Sequence, residues 1–238
     1  MKNYNGIPGD YYKKVMEKGH HTRKFIYDIR ENFVFSLIEA KKDEKILDIG
    51  FGSGIMLKML TERRCNTYGV DISSEAVEFI KKTNKKAKVK VCDAQKLDFP
   101  DNSFDKVVCS EVIEHLKKPD ELLKEVYRIL KPKGRFIIST PNYLSHYAIL
   151  EWLYDKAKMH DMEVDLGKQH ISRFNYFSLK KAMKKKGFKI KNYGSFLILS
   201  ILFSYISPKL AYFIYNIEKR FHNYGFGTLI FATATKWK

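Results

Sequence analysis

Residues 45–54, KILDIGFGSG, decide how this chain folds. Lys45–Ile49 is a short apolar run of strand type, and it enters a loop with glycines at Gly50, Gly52 and Gly54. Such a loop lets a small ligand approach the backbone closely. The dinucleotide fingerprint spaces its glycines GxGxxG, whereas this loop reads GxGxG. A phosphate-binding Walker loop ends in Gly-Lys-Ser/Thr, and no such ending follows here. The ligand class therefore rests on the residues beyond the loop.

Outward from the loop, strand and helix patterns alternate. Residues 22–40 carry apolar side chains at helical spacing, and SGIMLKMLTER does the same after the glycines. TYGVDI predicts a second strand, and SSEAVEFIKKTN a helix capped by Ser73. KVKVCDA and FDKVVCS predict strands three and four. PDELLKEVYRIL predicts a helix with Pro119 in its first turn, and RFIISTP, after the turn KPKG, a fifth strand. SLKKAMKKKG reads as a helix closed by Gly187, followed by the strands FKIKNYGSF and GTLIFATATKW. The fold class is α/β: a Rossmann-like sheet of seven strands, mostly parallel, with an antiparallel C-terminal edge.

The length of 238 residues suits one such domain with additions. We divide it into an N-terminal helical segment (1–44), a ligand-binding core (45–140), and two cap insertions (141–177 and 196–225). The opening MKNYNGIPGDYYKK lacks the apolar stretch of a signal peptide, and Cys65, Cys92 and Cys109 form no CxxC pair. A cytoplasmic location is expected. The formal charge of +17 comes from 36 Lys and only 8 Arg. Nucleic-acid readers lean on Arg for bidentate contacts, so nucleic acid ranks below an anionic membrane surface as a partner.

Each strand end after the glycine loop supplies a polar group. Asp48 precedes the loop, Asp71 ends the second strand, Asp93 ends the third, and Ser110 and Glu111 follow the fourth. In an open α/β sheet these converge on one crevice at the carboxyl ends of the strands. A carboxylate at Asp71 suits both hydroxyls of a ribose, and one at Asp93, with the Ala94 amide, suits an adenine edge. LDIGFGSG followed by this order of acids resembles the class I S-adenosylmethionine-dependent methyltransferases. CSEVIEHLKKPDELLKEVYRILKPKGRFIISTPN is especially similar to the branch containing the O-methyltransferases of ubiquinone biosynthesis.

The resemblance implies S-adenosylmethionine as cofactor. By position, Asp48, Gly50, Gly52 and Gly54 would hold its methionine end. Asp71 with Ile72 would hold the ribose, Asp93 with Ala94 the adenine, and Ser110 would face the sulfonium. Arg23, or alternatively Arg30, would reach the cofactor carboxylate. In SEVIEHL, the spacing of Glu111, Glu114 and His115 puts all three on one face of a helical turn. His115 and Glu111 are the candidate general bases for a hydroxyl acceptor. The resemblance also implies a divalent metal such as magnesium on Glu111, Glu114 and His115. No Asn/Asp-Pro-Pro-Tyr/Phe loop of the amine methyltransferases follows the fourth strand, so the expected acceptor is an oxygen on a small or lipid-like molecule. The rival readings are RNA methylation and cofactor binding without catalysis.

The two cap insertions carry further signals. His146, His160 and His170 lie in the first, and Asn142 and Tyr143 stand near its entrance. Residues 192–208 carry no charge, yet they fall short of the roughly 20 apolar residues that a spanning helix needs. With LAYFIYNIEKRF after them, they read as an apolar cap or as a helical pair lying in a membrane interface.

Overall fold

The computed structural model describes residues 21–146, 170–222 and 225–237. Helix α1 (His21–Ile38) leads into β1 (Lys45–Ile49), α2 (Ile55–Glu62), β2 (Asn66–Asp71), α3 (Ser74–Thr83) and β3 (Lys88–Val91). β4 (Phe104–Ser110), α4 (Pro119–Ile129), β5 (Leu130–Pro141), α5 (Tyr176–Lys185) and β6 (Phe188–Phe196) follow. The helices α6 (Ser200–Ser204) and α7 (Pro208–Glu218) then precede β7 (Leu229–Lys236). The strands form one sheet in the order β3-β2-β1-β4-β5-β7-β6. β1 to β5 pair in parallel, and β7 runs antiparallel between β5 and β6. The expected sheet is present.

Both faces of the sheet are covered, as its central strands require. On β4, Val107 and Cys109 face a core built with Leu122, Val126, Leu179 and Met183 of α4 and α5. Val108 points the other way, into a core with Val34 and Ile38 of α1 and with Met56 and Leu60 of α2. A third cluster joins Phe25, Ile29 and Phe33 of α1 to Phe196, Leu197, Ala211 and Phe231, which seats the α6–α7 pair on the sheet. Local signals act as read. The Ser73 hydroxyl accepts from the Ala76 amide at the start of α3, and Pro119 occupies the first turn of α4.

KPKG departs from expectation. In place of a turn before a new strand, it is an irregularity inside the twelve-residue β5, where the pairing steps from Phe104–Leu130 to Lys106–Arg135. Lys133 takes a left-handed φ of 65° there. The β3 strand stops at Val91, so Cys92 and Asp93 begin the loop rather than continue the strand.

Candidate functional site

The β1–α2 loop opens a cleft lined by Tyr27, Arg30, Glu31, Asp48, Ser110 and Glu111 with the glycine loop itself. Gly50 and Gly54 have φ of +71° and +76°, a region that costs any L side chain. A Cβ on Gly50 would lie 2.3 Å from Val112 Cγ2, and one on Gly54 would lie 2.2 Å from Ile80 Cδ1. The loop's shape is therefore locked by its neighbours. The Asp71 carboxylate accepts from the Gly52 amide (2.9 Å) and from the Ser73 amide (2.9 Å), tying the loop to the end of β2.

Asp48 is buried, and its Oδ2 has no hydrogen-bond partner among the described residues. Burial, with Glu31 and Asp71 nearby, pushes its pKa well above the ordinary carboxylate value. A buried carboxylate oxygen without a donor is costly, and a cationic or hydrogen-bonding ligand would relieve it. Arg30 lines the same cleft, 2.9 Å from Glu31 and stacked at 4.5 Å over Tyr27. The Arg23 side chain lies outside the described residues. Of the two arginines weighed, Arg30 is the one seen lining the cleft.

Further along the sheet edge, Asp93 Oδ1 accepts from the Gln95 amide (2.8 Å). Ala94 is buried, and Ile72 is exposed. Beyond β4, Glu111 takes a left-handed φ of 55°, which turns its side chain toward β5. The Ser139 hydroxyl donates to Glu111 Oε1 (2.8 Å) and also meets the Ser110 hydroxyl (2.8 Å). Burial raises the Glu111 pKa, and the nearby Arg30 opposes that rise.

Glu114 is almost wholly buried, and burial together with Glu111 holds its pKa well above normal. Thr140 donates to its Oε2 (2.9 Å), and its Oε1 stands 4.0 Å from His115 Nε2. The His115 ring lies 5.0 Å from that of His170, whose Nδ1 is 2.7 Å from the Tyr143 hydroxyl. The amides of Ile171 and Ser172 both donate to the Glu114 carbonyl, which brings His170 to this place.

Glu114, His115 and His170 each offer a ligand atom within 4.8 Å of the others. Glu111 is not among these three; its carboxylate accepts from the Ser139 hydroxyl, with Arg30 nearby. Asn142 is corrected. Rather than facing an entrance, it is fully buried and donates to the Gly225 and Gly227 carbonyls (2.8 and 2.9 Å). His146 meets the Thr228 hydroxyl (3.0 Å), and His160 lies outside the described residues.

Sequence reading did not find Tyr27, Glu31, Ser139 or Thr140. The strand-end rule that found Asp48 and Ser110 applies equally to the two hydroxyls of STP at the end of β5. Tyr27 and Glu31 carry no such signal, because they sit within a helix whose polar face also meets solvent.

The family profile described as "Methyltransferase domain" matches residues 19–192. The ubiquinone biosynthesis O-methyltransferase of Rickettsia bellii is 31% identical over 150 residues, covering 60% of this chain and 61% of that protein. The 24-methylenesterol C-methyltransferase 2 of Arabidopsis thaliana is 31% identical over 177 residues, or 68% of this chain and 46% of its own length. The chain thus spans less than two thirds of the length of these curated relatives. Among solved structures, an S-adenosylmethionine-dependent methyltransferase of Thermotoga maritima superposes with a TM-score of 0.67 at 22% identity, covering 94% of each chain. A methyltransferase of Haloferax volcanii, solved with its Trm112 activator, superposes with a TM-score of 0.70 at 18% identity, covering 99% of this chain and 98% of that one.

Proposed function

The chain belongs to the methyltransferase-domain family, and from that membership we propose that it transfers a methyl group from S-adenosylmethionine to an oxygen of a small or lipid-like acceptor. The observation that carries this reading is the unpartnered, buried Asp48 oxygen in the glycine-loop cleft, beside Arg30 and Glu31. The cofactor ends in an amino acid, and the cleft offers it carboxylates at Asp48 and Glu31 and a guanidinium at Arg30. Asp48 with Glu31 takes the ammonium, and Arg30 takes the carboxylate. The loop at Gly50–Gly54 admits the methionine chain against its backbone. Asp71, with Ile72 beside it, accepts the ribose hydroxyls, and Asp93 with the Ala94 amide reads the adenine edge. Ser110 stands at the sulfonium end.

When bound, the cofactor supplies a methyl group already activated by its sulfonium. What remains for the chain is to orient an acceptor, exclude water and take one proton. Glu111 and His115 are the groups for the proton. Burial keeps the Glu111 carboxyl closer to neutrality than a surface carboxylate, which suits a base working near pH 7. Glu114, held by Thr140, positions His115. A divalent cation, if the reaction uses one, has Glu114, His115 and His170 as its ligands, and it would lower the pKa of an acceptor hydroxyl. Relatives acting on quinone precursors and sterols support a lipid-like acceptor.

Incubation of the purified chain with methyl-labelled cofactor and a fractionated cell extract tests the reading. Label is expected in the lipid or small-molecule fraction. Label confined to RNA would overturn the acceptor class, and tight NAD binding without S-adenosylmethionine binding would overturn the whole assignment.

A further inference from the structure

We propose that the α6–α7 cap is a docking surface for an anionic lipid bilayer. The unit is well anchored on its inner side. Leu197, fully buried, takes a left-handed φ of 58° where the chain leaves β6, and its carbonyl accepts from both the amide and the hydroxyl of Thr228 (3.1 and 2.7 Å). The Glu218 carboxylate turns inward and accepts the amides of Ile198, Leu199 and Ser200 at the start of α6 (3.2, 2.8 and 3.2 Å), with the Ser200 hydroxyl as a further donor. Against α1, Phe25 meets Tyr212 edge-on at 4.9 Å, Tyr212 donates to Asp28 (2.6 Å), and Thr22 donates to the Ser204 carbonyl (3.0 Å).

The outer side is apolar. Ile206 is 73% exposed and Phe213 is 62% exposed, and Leu199, Leu202, Leu210 and Ile217 are exposed beside them. On α7, Leu210, Phe213 and Ile217 fall at i, i+3 and i+7, which is one stripe of a helix. Ala211, by contrast, is buried against the body. A soluble surface rarely collects large apolar side chains in this way without a partner to cover them.

Charge identifies the partner. Glu218 is the only acidic residue between positions 196 and 225, and it is buried. The exposed charges around the apolar stripe, Lys209, Lys219 and Arg220, are all cationic. An apolar stripe rimmed by cations is the pattern of interfacial helices, which sink their apolar side among the lipid tails and leave cations at anionic headgroups. A second copy of the chain fits less well, because a two-fold contact would set these cations against their own symmetry mates. No helix among the described residues is long and apolar enough to cross a membrane, so docking here is peripheral. The cap packs on α1, which also carries Tyr27, Arg30 and Glu31 of the cleft, so the bilayer would lie next to the helix that forms one wall of the site. The lipid-like acceptor reading gives this docking its purpose, but its structural support is separate.

The test is co-sedimentation of the full chain with phosphatidylcholine vesicles, with and without phosphatidylglycerol, at low and high salt. Calorimetry of S-adenosylmethionine binding on the same samples runs in parallel. The chain is expected to pellet with the anionic vesicles, less so at high salt. The triple variant I206S/F213S/I217S is expected to partition at least about tenfold more weakly while binding the cofactor unchanged, because all three side chains point away from the body. A wild type that stays in the supernatant at every composition overturns the proposal. So does a triple variant that pellets equally well, since the net charge alone, which would serve RNA as readily, would then explain binding. A concentration-dependent dimer abolished by the same variant, with no vesicle binding, gives the surface to a second copy. Failure of the wild type to bind S-adenosylmethionine would break the methyltransferase reading and leave the vesicle result standing, so the two failures are distinguishable.

Discussion

The glycine-loop cleft and the α6–α7 cap are built by opposite means. In the cleft, shape comes from backbone: positive φ angles at Gly50 and Gly54, a carboxylate at Asp71 that ties two loops, and side chains at successive strand ends. The cap gets its shape from side chains, with an inner face of Phe25, Leu197 and Ala211 and an outer face whose large apolar side chains are exposed. A polar group left without a partner inside the cleft and an apolar group left without cover on the cap are the same kind of signal. Each is unfavourable in the isolated chain, and each names the chemistry of what would relieve it.

The largest expected effect lies in the Glu114–His115–His170 group beyond β4. Substituting His115 by Ala should slow methyl transfer by about 10²–10⁴-fold, the usual contribution of a positioned acid or base. S-adenosylmethionine affinity should be nearly unchanged, so the loss appears in kcat. A chelator separates the roles assigned to this cluster. Activity that falls with chelator and returns with a divalent ion makes His115 a ligand, and indifference to chelator leaves it as the base.

Next in size is Gly50→Ala. The left-handed backbone costs roughly 1–2 kcal/mol and the overlap with Val112 about 1–3 more, so a loss of about 2–5 kcal/mol is expected in urea unfolding. An unchanged midpoint would mean that the loop shifts freely and is not the rigid cradle described. Asp71→Ala should weaken S-adenosylmethionine binding by roughly 1.5–3 kcal/mol, the range for hydrogen bonds to a charged group, as read by calorimetry.

The extent to which each region could be read in the sequence follows the same division. Strand-end groups are legible because the sheet itself aligns them: once KILDIG is a strand, Asp48, Asp71, Asp93 and Ser110 must fall along one edge. Groups that reach the site from a helix or from a distant loop are less legible: Arg30 and His170 can be named as candidates and Glu31 cannot, because their placement depends on packing. Arg30 and Glu31 depend on how α1 crosses the sheet. His170 depends on the Ile171 and Ser172 amides finding the Glu114 carbonyl, 57 and 58 residues back in the chain. The spacing of Glu111, Glu114 and His115 suggests one face of an ideal helical turn, but Glu111 has a φ of 55° and so does not continue that turn. The cap's apolar character was visible in composition, whereas which side of α7 stays outside required the contacts with α1.

A smaller effect, and one of opposite sign in the two states of the protein, concerns Asp48. Its folded pKa is raised by burial, by Glu31 and by Asp71 from an ordinary value of 3.8. Such a group stabilises the fold fully below the unfolded pKa, and that contribution is lost as pH rises through the folded value. The contribution of Asp48 in the ligand-free chain should therefore fall as pH climbs above about 4, with Glu111 and Glu114 acting in the same direction and the lowered Asp105 and Glu125 opposing them. Asp48→Asn should flatten this slope and raise the melting temperature of the ligand-free chain near neutrality, yet weaken cofactor binding. Thermal scans across pH, with and without S-adenosylmethionine, would show it. A slope unchanged by the substitution would remove Asp48 from the cleft's electrostatics.

The smallest expected effect is on the cap. Phe213 is 62% exposed, so Phe213→Ser removes little buried surface and should change urea stability by no more than about 0.5 kcal/mol. Phe25, 1% exposed at the inner face, should cost about 3–5 kcal/mol on truncation to Ala. The contrast matters more than either value. If Phe213→Ser cost several kcal/mol, its ring would be part of the fold and the outer stripe would be ordinary core. If it costs nothing in solution, a phenyl ring that the fold does not need is held out at the surface by a helix whose other side is anchored through Tyr212 and Ala211. That outcome fits the docking surface proposed for this stripe.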